Sequence, residues 1–434
     1  MTNLTHSEAK YAIIGAGPCG LAAAKIFLDY DIPFDGYESG PDVGGLWDIN
    51  NPDSTVYESA HLISSKFTTG YSCFPMPDSM PDYPSHREVW KYFCQFAQHF
   101  GLYSHFSFLT RVVRVQPSDE QAQTWQITLQ NGETRSYAGV IIASGTFHTP
   151  SMPRFEGNFS GEIVHSAAYK SADLFAHKRV LVVGAGNSGC DIAVDAVYRA
   201  QSVALSMRRG YHFVPKYVFG KPADTLGALI ALPRPLKQRI DEWILRLFAG
   251  DAQRVGFPKP DHKLYELHPV VNSLVIYHAG HGDIAIKPAI SRTDGKRVWF
   301  SDGSNDEYDL ILAATGYQLN YPFIDPKYLC WRGTYPQLFL HIFNPQYRNL
   351  FMLGMVEATG LGWQGRYEQA QLVAAYIRAK TQYPDRAQRF DHAISHDQPK
   401  LNGGYRYMSL DRMAFYVHKD TYRQTIKAYL DKLL

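Results

Sequence analysis

Short apolar runs alternate with amphipathic stretches along this chain, and two of the runs lead into glycine-rich turns. The segments YAIIGAGPCGLAAAKIF and RVLVVGAGNSGCDIAV each start as a β-branched, apolar run of strand length and continue as a small-residue, helix-forming stretch. Strands that are buried on both faces read as continuous apolar runs, as in parallel sheets. The pattern therefore predicts two strand–turn–helix units.

Other periodicities predict the elements around these units. Apolar residues at helical spacing mark a helix in HREVWKYFCQFAQHFGL, with a core-facing stripe of Val89, Tyr92, Phe93, Phe96 and Phe100. LKQRIDEWILRLFAG, LGWQGRYEQAQLVAAYIRAK and the charged C-terminus also read as helices. RVVRVQP and TWQITLQNGETRSYAGVIIASG predict antiparallel strands, with an Asn131-Gly132 hairpin between the last two.

Both glycine turns match G-x-G-x-x-G. The glycines are Gly15, Gly17 and Gly20 in the first turn and Gly184, Gly186 and Gly189 in the second. The first glycine of such a motif makes the tight turn, the second lets the backbone approach a pyrophosphate, and the third allows close helix–strand packing. The helix N-terminus then offers N–H groups to the phosphates. One such motif is a weak signal, but two in the correct context predict two bound dinucleotides and electron transfer between them.

The strand after each turn indicates which dinucleotide is bound. In the first unit a strand from about Phe34 to Tyr37 ends at Glu38, 23 residues beyond Gly15, where a carboxylate can accept hydrogen bonds from ribose hydroxyls. The corresponding strand of the second unit, SVALSM, ends in Ser206, Met207, Arg208 and Arg209. A hydroxyl and guanidinium groups bind a 2′-phosphate that a carboxylate would repel. The sequence therefore predicts that the first site binds FAD and the second binds NADPH. The alternative is that the arginine pair is an ordinary solvated strand end.

Composition narrows the class and the compartment. The 434 residues are enough for two or three domains, and 45% apolar with 19% charged residues is ordinary for a soluble globular protein. A net charge of +2 suggests neither nucleic acid nor an anionic membrane as partner. The five cysteines are scattered without C-x-x-C, which favours a reducing cytoplasm, and no histidine pair has metal-ligand spacing.

Neither a signal peptide nor a membrane span is expected. The N-terminal MTNLTHSEAK is short and polar and leads directly into the first strand. The apolar TLGALIALP is interrupted by prolines and falls far short of the ~20 residues that a span needs. We therefore expect a soluble, cytoplasmic protein.

The predicted fold is α/β, with two Rossmann-like dinucleotide-binding domains. We expect residues 1–153 to form the first part of an FAD domain and residues 154–290 an inserted NADPH domain with a proline-richer helical segment at about 211–270. Residues 291–434 would complete the FAD domain, because RVWFSDGSNDEYDLILAATGY has the same strand–turn–strand pattern as TLQNGETRSYAGVIIASG.

The chain resembles the flavin-containing monooxygenases, in particular their bacterial members. Between the two glycine turns, FSGEIVHSAAYK fits F-x-G-x-x-x-H-x-x-x-Y/F with Phe159, Gly161, His165 and Tyr169, although a domain linker with one stray histidine would read the same. The tyrosine distinguishes this motif from the tryptophan-ending version of the type I Baeyer–Villiger enzymes. IIASGTF, AATGY and GGLW also resemble family motifs, and the resemblance covers essentially the whole chain.

The resemblance implies a reaction and further cofactor contacts. In the family, NADPH reduces a tightly held FAD, which captures oxygen as a C4a-hydroperoxide and oxygenates an amine nitrogen or a sulfur; other members insert oxygen into ketones. The resemblance places in contact with FAD the residues Gly45, Leu46, Trp47, His61, Thr315, Gly316 and Gln371. In the second motif it adds Asn187 and Ser188 as NADPH contacts. Small-molecule substrate and O2 are the implied partners, a homodimer is common among relatives, and no metal is implied.

One segment departs from the family pattern. Many members carry an asparagine near the flavin in T-N-x-x-R/K, whereas alignment of HLISSK on Lys66 puts Ile63 at that position. Ser64 or Ser65 could replace the asparagine as catalytic hydrogen-bonding groups, or the NADP amide could serve alone. Because isoleucine donates no hydrogen bond, we expect part of the reducing power to leak as hydrogen peroxide.

Other functions are compatible with this architecture. A disulfide reductase would need a redox C-x-x-C, which the sequence lacks. NADPH oxidase or quinone reductase activity stays open, as does type II Baeyer–Villiger oxidation of ketones. A flavin-bound sensor is the non-enzymatic alternative.

Overall fold

The computed structural model describes residues 10–119, 122–226 and 234–434. The expectation for the N-terminal segment concerns residues 1–9 and that for TLGALIALP concerns residues 227–233, so both lie outside the described residues. Within these described ranges, no helix combines the length and the apolar character that crossing a bilayer requires.

The described helices and strands alternate as expected for an α/β protein. The helices are α1 Pro18–Asp29, α2 Lys66–Thr69, α3 His86–His99, α4 Asn187–Val197, α5 Arg234–Ala249, α6 Leu274–His281, α7 Gln364–Gln382, α8 Pro384–His396 and α9 Lys419–Leu433. The strands of the first half are β1 Tyr11–Ile14, β2 Phe34–Tyr37, β3 Phe106–Ser107, β4 Val112–Pro117, β5 Trp125–Leu129, β6 Thr134–Tyr137, β7 Gly139–Ile142, β8 Thr149–Pro150, β9 Glu156–Phe159, β10 Glu162–His165, β11 Arg179–Val183 and β12 Ser202–Ser206. Those of the second half are β13 Tyr217–Val218, β14 Lys221–Pro222, β15 Ile284–Lys287, β16 Ile290–Gly295, β17 Arg297–Phe300, β18 Asn305–Glu307, β19 Leu310–Ala313, β20 Tyr317–Gln318, β21 Trp331–Arg332, β22 Tyr335–Pro336 and β23 Leu350–Met352.

The first glycine turn belongs to a five-stranded parallel sheet with the order β23-β7-β1-β2-β3. Its two faces pack against different layers because side chains alternate along a strand. On β1, Ile13 joins the core formed with α1, α3 and α7. Its neighbours Ala12 and Ile14 join a second core, which includes Trp125 and Ile127 of the antiparallel sheet β4-β5-β6.

The second glycine turn belongs to another five-stranded parallel sheet, with the order β10-β19-β11-β12-β15. The same alternation holds on β11: Val180 and Val182 pack toward α4 and α6. Leu181, between them, packs toward Val298 and Phe300 of the sheet β18-β17-β16-β9. The fold is therefore α/β with two dinucleotide-binding units, as the sequence predicts.

The predicted return to the first domain at residue 291 is wrong for the strand Leu310–Ala313. This strand, β19, pairs with β11 and β10 and lies in the second sheet. The two similar segments occupy equivalent places. β5 and β6 precede β7, which lies beside the central strand β1 of the first sheet, and β17 and β18 precede β19, which lies beside the central strand β11 of the second. The chain returns to the first sheet only at β23, which pairs with β7.

Several local predictions are confirmed. β5 and β6 pair antiparallel around the Asn131-Gly132 turn, where Gly132 has φ +86°. Along α3, the predicted stripe is buried at Val89, Tyr92, Phe93 and Phe96, each 0% exposed.

The two glycine turns have the same geometry. Gly15 and Gly184 both have φ +105°, a left-handed conformation that glycine adopts without strain. The third glycines make the closest approach: a Cβ built on Gly20 would lie 1.8 Å from Gly15 O, and one on Gly189 would lie 1.9 Å from Gly184 O. Helix and strand could not pack at this distance with any side chain in between.

This packing predicts that only one of two neighbouring glycine-to-alanine substitutions lowers stability. Gly189→Ala should lower the free energy of unfolding by roughly 1–3 kcal/mol, because the methyl group meets a backbone oxygen that cannot move aside. Gly186→Ala should leave stability nearly unchanged, since Gly186 has φ −73° and nothing within 4 Å of an added Cβ. Urea unfolding of the two variants measures the difference, and equal midpoints would contradict the prediction.

Candidate functional site

Glu38 lies directly after β2, where the sequence predicts a carboxylate for a ribose. It is 5% exposed. Its Oε2 accepts a hydrogen bond from Ala16 N at 2.7 Å, and its Oε1 accepts one from Gly40 N at 2.7 Å. A carboxylate has about four acceptor positions, so both oxygens keep room for hydroxyl donors. The structure thus fixes Glu38 against the first glycine loop.

The turn Gly44–Trp47 packs on the same loop. Gly44 N donates to Ala16 O at 3.0 Å, and a Cβ on Gly45 would lie 3.1 Å from Gly17 Cα. Residues 45–47, which include the predicted Leu46, form a single 3-10 turn. The first loop and the GGLW turn therefore form one continuous backbone surface at the carboxyl edge of the first sheet.

Two buried polar atoms without a hydrogen-bond partner among the described residues lie beside this surface. They are Trp90 Nε1 and the Ser144 hydroxyl. A Cβ on Gly44 would lie 3.0 Å from Trp90 Cδ1, and one on Gly15 would lie 3.3 Å from Ser144 Cα. Each unpaired buried donor costs about 1–3 kcal/mol, and a bound polar group can supply the partner. The residues present therefore fit a large polar cofactor such as FAD.

The two candidate serines have different environments. Ser64 is half-buried, and its hydroxyl lies 2.8 Å from that of Thr69. Ser65 is 0% exposed, and its hydroxyl has no hydrogen-bond partner among the described residues. The catalytic roles of Ser64 and Ser65 stay predictions.

Lys66 fixes the loop that follows. It is 9% exposed, and its Nζ donates to Pro77 O, Asp78 O and Met80 O at 3.4, 2.8 and 2.5 Å. Three carbonyl partners replace the water that a buried ammonium loses. The irregular proline-rich loop is thereby tied to the candidate segment.

The N-terminus of α7 meets this segment. Trp363 N donates to Thr69 O at 2.8 Å, and the Trp363 ring lies edge-on to Trp47 with centroids 6.2 Å apart. The sequence reasoning missed Trp363, because its position before a helix belongs to no motif. Trp47, Thr69 and Trp363 together join three chain segments beside the first glycine loop.

His61 and Gln371, two predicted FAD contacts, have less support from their positions than the residues of the first glycine loop and the GGLW turn. His61 is exposed, and its Nδ1 lies 2.8 Å from Ser59 O. Gln371 is half-buried and lies seven residues after Gln364, about 10 Å along α7. The buried glutamine of this helix is Gln369, which accepts from Gly354 N at 3.0 Å. Both contacts stay predictions.

The second glycine loop repeats the first. Gly186 begins α4 with φ −73° and ψ −179°, against −72° and −175° for Gly17 at the start of α1. The space in front of Gly186 is open within 4 Å. Asn187 Oδ1 accepts from Val271 N at 2.7 Å, which leaves its NH2 group for a ligand, and Ser188 is exposed.

The residues after β12 have different environments. Ser206 is 2% exposed, and its hydroxyl donates to Pro288 O at 2.7 Å. Its contact with NADPH stays a prediction. Arg208 is exposed, and no ion pair involves it among the described residues. Arg209 is half-buried with Nη1 3.6 Å from Met408 Sδ.

Thr315 and Gly316 connect the two sheets. Thr315 Oγ1 donates to Ser151 O at 2.6 Å, and Ser151 N donates to Gly316 O at 2.9 Å. His165 of the predicted family motif places its Nε2 3.1 Å from Gly316 O, and burial lowers its pKa. The motif histidine thus supports the crossover between the units.

Two carboxylates on α4 were missed by the sequence reasoning. Asp191 Oδ1 accepts from Asn272 Nδ2 at 2.5 Å, and the hydroxyl of Tyr57 lies 3.4 Å from Asp191 Oδ2. Burial raises the pKa of Asp191 to about 6, an effect that the Asn272 hydrogen bond partly offsets. Asp195, one turn later, accepts from Tyr169 at 2.9 Å. The sequence signal available for them was two carboxylates four residues apart, which lie on the same face of a helix.

Comparisons with known proteins agree with this geometry. The family model described as flavin-binding monooxygenase-like matches residues 8–429. Flavin-containing monooxygenase 5 of Oryctolagus cuniculus is 30% identical over 385 residues, which cover 81% of this chain and 70% of the relative. Two solved structures share the fold. One is S-allyl-L-cysteine S-oxygenase from Allium sativum, with TM-score 0.67, 19% identity and coverage of 98% and 88% of the two chains. The other is OTEMO in complex with FAD and NADP, with TM-score 0.72, 17% identity and coverage of 98% of each chain.

The raised pKa of Asp191 predicts a pH dependence of stability. The folded pKa of about 6 lies above the unfolded value of about 3.9, so the folded state holds the proton more tightly. The stabilisation is fully present below pH ~4 and is lost as pH rises through 6, about 2–3 kcal/mol in all. Asp191→Asn, of the same shape, should remove this slope. Thermal unfolding between pH 4.5 and 7.5 compares the two proteins, and parallel curves would contradict the assignment.

Proposed function

Because the chain belongs to the flavin-binding monooxygenase-like family and is an NADPH-dependent, FAD-containing oxidoreductase, we propose that it transfers one oxygen atom from O2 to a small nucleophilic nitrogen or sulfur compound. FAD, once reduced by NADPH, supplies the oxygen-activating chemistry. The protein's own residues bind and orient the two cofactors and exclude water.

The observation that carries the proposal is that the two glycine loops have the same geometry, whereas the residues that follow β2 and β12 carry opposite charges. Glu38 closes the first loop with a carboxylate that suits the ribose of FAD. Arg208 follows the second sheet's β12 with an exposed guanidinium and no acidic neighbour in sequence. This asymmetry supports FAD at the first loop and NADPH at the second.

The remaining residues support a reaction in which the cofactors carry the chemistry. Among the described residues, no group of three or more histidine, cysteine, aspartate or glutamate side chains could hold a metal ion. Trp47 and Trp363 provide apolar surface beside the first loop. Exclusion of water from such a surface strengthens hydrogen bonds to the reacting oxygen and limits side reactions.

Substrate class is the finer part of the proposal. The fold shared with an S-oxygenase is compatible with sulfur, and Tyr169 at the end of the family motif leads away from the type I Baeyer–Villiger group. The fold shared with OTEMO keeps ketone oxidation as a second candidate. A cytoplasmic location and a homodimer complete the proposal.

Labelled oxygen tests the proposal directly. The purified protein is incubated with NADPH, 18O2 and a panel of tertiary amines, sulfides and cyclic ketones, and the masses of the products are measured by mass spectrometry. We expect one 18O atom in an N- or S-oxide per NADPH that does not form peroxide. Label only in lactones would favour the ketone candidate. Stoichiometric peroxide without labelled product would establish an oxidase and contradict the proposal.

Arg208→Ala should weaken NADPH much more than NADH. Loss of a charged hydrogen bond to the 2′-phosphate costs about 1.5–3 kcal/mol, or ten- to more than a hundredfold in affinity. NADH has no such phosphate and should bind the variant as it binds the wild type. Titration of both nucleotides with each protein measures this, and equal losses for both would remove Arg208 from the phosphate site, leaving Arg209 to be examined in the same way.

Ile63 predicts a leak of hydrogen peroxide. Ile63 is half-buried beside Ser64 and adds no hydrogen-bond donor where many relatives carry an asparagine. Ile63→Asn should lower the fraction of NADPH converted to peroxide, whereas Ile63→Leu, which adds no donor, should not. The fraction is measured as peroxide formed per NADPH oxidised. An unchanged fraction in Ile63→Asn would show that Ile63 does not set the leak.

A further inference from the structure

Residues 54–60 follow the first unit's GGLW turn in sequence but pack in the core of the second unit. Val56, Tyr57 and Ala60 are 5, 7 and 8% exposed, and they share a cluster with side chains of α4, β11 and β12. Burial of apolar side chains away from water stabilises this contact. The segment therefore has its apolar contacts in the second unit, although Ser54 Oγ also donates to Leu46 O and His86 N donates to Ala60 O in the first.

Backbone contacts with Lys170 add to this attachment. Lys170 Nζ donates to Ser54 O at 2.6 Å and to Val56 O at 3.0 Å. Glu58 N donates to Lys170 O at 2.9 Å. Lys170 directly follows Tyr169, the last residue of the family motif, so the motif and the segment are held together.

Asp195 joins the motif to the end of the segment. Its Oδ2 accepts hydrogen bonds from the hydroxyls of Tyr169, at 2.9 Å, and of Ser59. Tyr169 is 1% exposed and stacks on Phe175 with centroids 5.1 Å apart, so its hydroxyl has a fixed position. A hydrogen bond to an ionised carboxylate is about twice as strong as one between neutral groups. Asp195 thus links the Ser59 hydroxyl to a Tyr169 side chain whose position is fixed by packing.

The far end of the same stretch is also held by the second unit. Asp224 Oδ2 accepts from Ser65 N at 2.7 Å and from Thr68 Oγ1 at 2.6 Å. Asp224 follows β14, within the segment inserted in the second unit. The stretch from Ser59 to Ser65, which contains Ile63 and Ser64, therefore has a contact from the second unit at each end. Between these ends, Ala60 O accepts a hydrogen bond from His86 N at 2.9 Å, and Leu62 N donates to Pro84 O at 3.0 Å.

From this arrangement we infer that Asp195 is a positioning residue: through Ser59 it holds the His61–Ser65 segment at a fixed place relative to the second unit while oxygen transfer occurs. The inference rests on the proposed function. Under this inference Tyr169, the last residue of the family motif, has a structural role, because its hydroxyl orients the Asp195 carboxylate that Ser59 binds.

Asp195→Ala tests the inference, with Asp173→Ala as the matched control. Asp173 lines the same surface cavity but its carboxylate lies 3.6 Å from Arg199 and contacts no residue of the segment. In Asp195→Ala we expect amide hydrogen exchange in peptides covering residues 54–65 to rise at least fivefold. The fraction of NADPH released as peroxide should rise at least threefold, while flavin content and the anaerobic rate of flavin reduction stay within twofold of wild type. The control should change none of these.

Unchanged exchange in residues 54–65 would overturn the inference, and so would faster exchange without a change in the peroxide fraction. If Asp195→Ala does not fold, Ser59→Ala replaces it, because Ser59 is exposed and its hydroxyl makes the same contact. Failure of the proposed function is seen separately as the absence of labelled oxygen in products of the wild type. In that case the exchange comparison alone decides whether Asp195 holds the segment.

Discussion

The close approach of helices α1 and α4 to the strands that precede them, β1 and β11, is the constraint on which both cofactor sites depend. At Gly20 and Gly189 there is less than 2 Å between the position of an added Cβ and the carbonyl oxygen of the first glycine. Only this approach brings the first-turn amides of α1 and α4 to the carboxyl edge of their sheets, where they can face a phosphate. Since the two turns agree within a few degrees at Gly17 and Gly186, the selectivity between cofactors comes from the residues that follow each second strand.

Apolar burial joins a segment of the first unit to the second. Tyr57 and Val56 lie in the second core, at 7% and 5% exposed. Hydrogen bonds to Lys170 and Asp195 hold the same segment. Because His86 N also donates to Ala60 O, residues 54–60 bridge the two units.

The sequence was sufficient where function depends on local geometry. Both glycine turns, Glu38 and the Asn131-Gly132 hairpin are found where their spacing predicts them. It was insufficient where long-range pairing decides, since β17–β19 has the same local pattern as β5–β7 but belongs to the other sheet. Burial of single polar side chains was not predicted either: Ser65 is 0% exposed and Ser206 is 2% exposed. Asp195 and Asp224 were out of reach because their partners are 136 and 159 residues away.

The aromatic residues beside the first loop explain how a site without a catalytic acid–base cluster can still be selective. Trp363 lies 4.5 Å from Phe93 and stacks with Tyr92 at 5.8 Å, and both of these are fully buried on α3. Because they are packed on all sides, they hold Trp363, which in turn supports the edge of Trp47. A rigid apolar wall of this kind keeps water away from a reacting group more reliably than single mobile side chains do. Most of the 14% aromatic content is thus ordinary core, but this part of the core bears directly on the site.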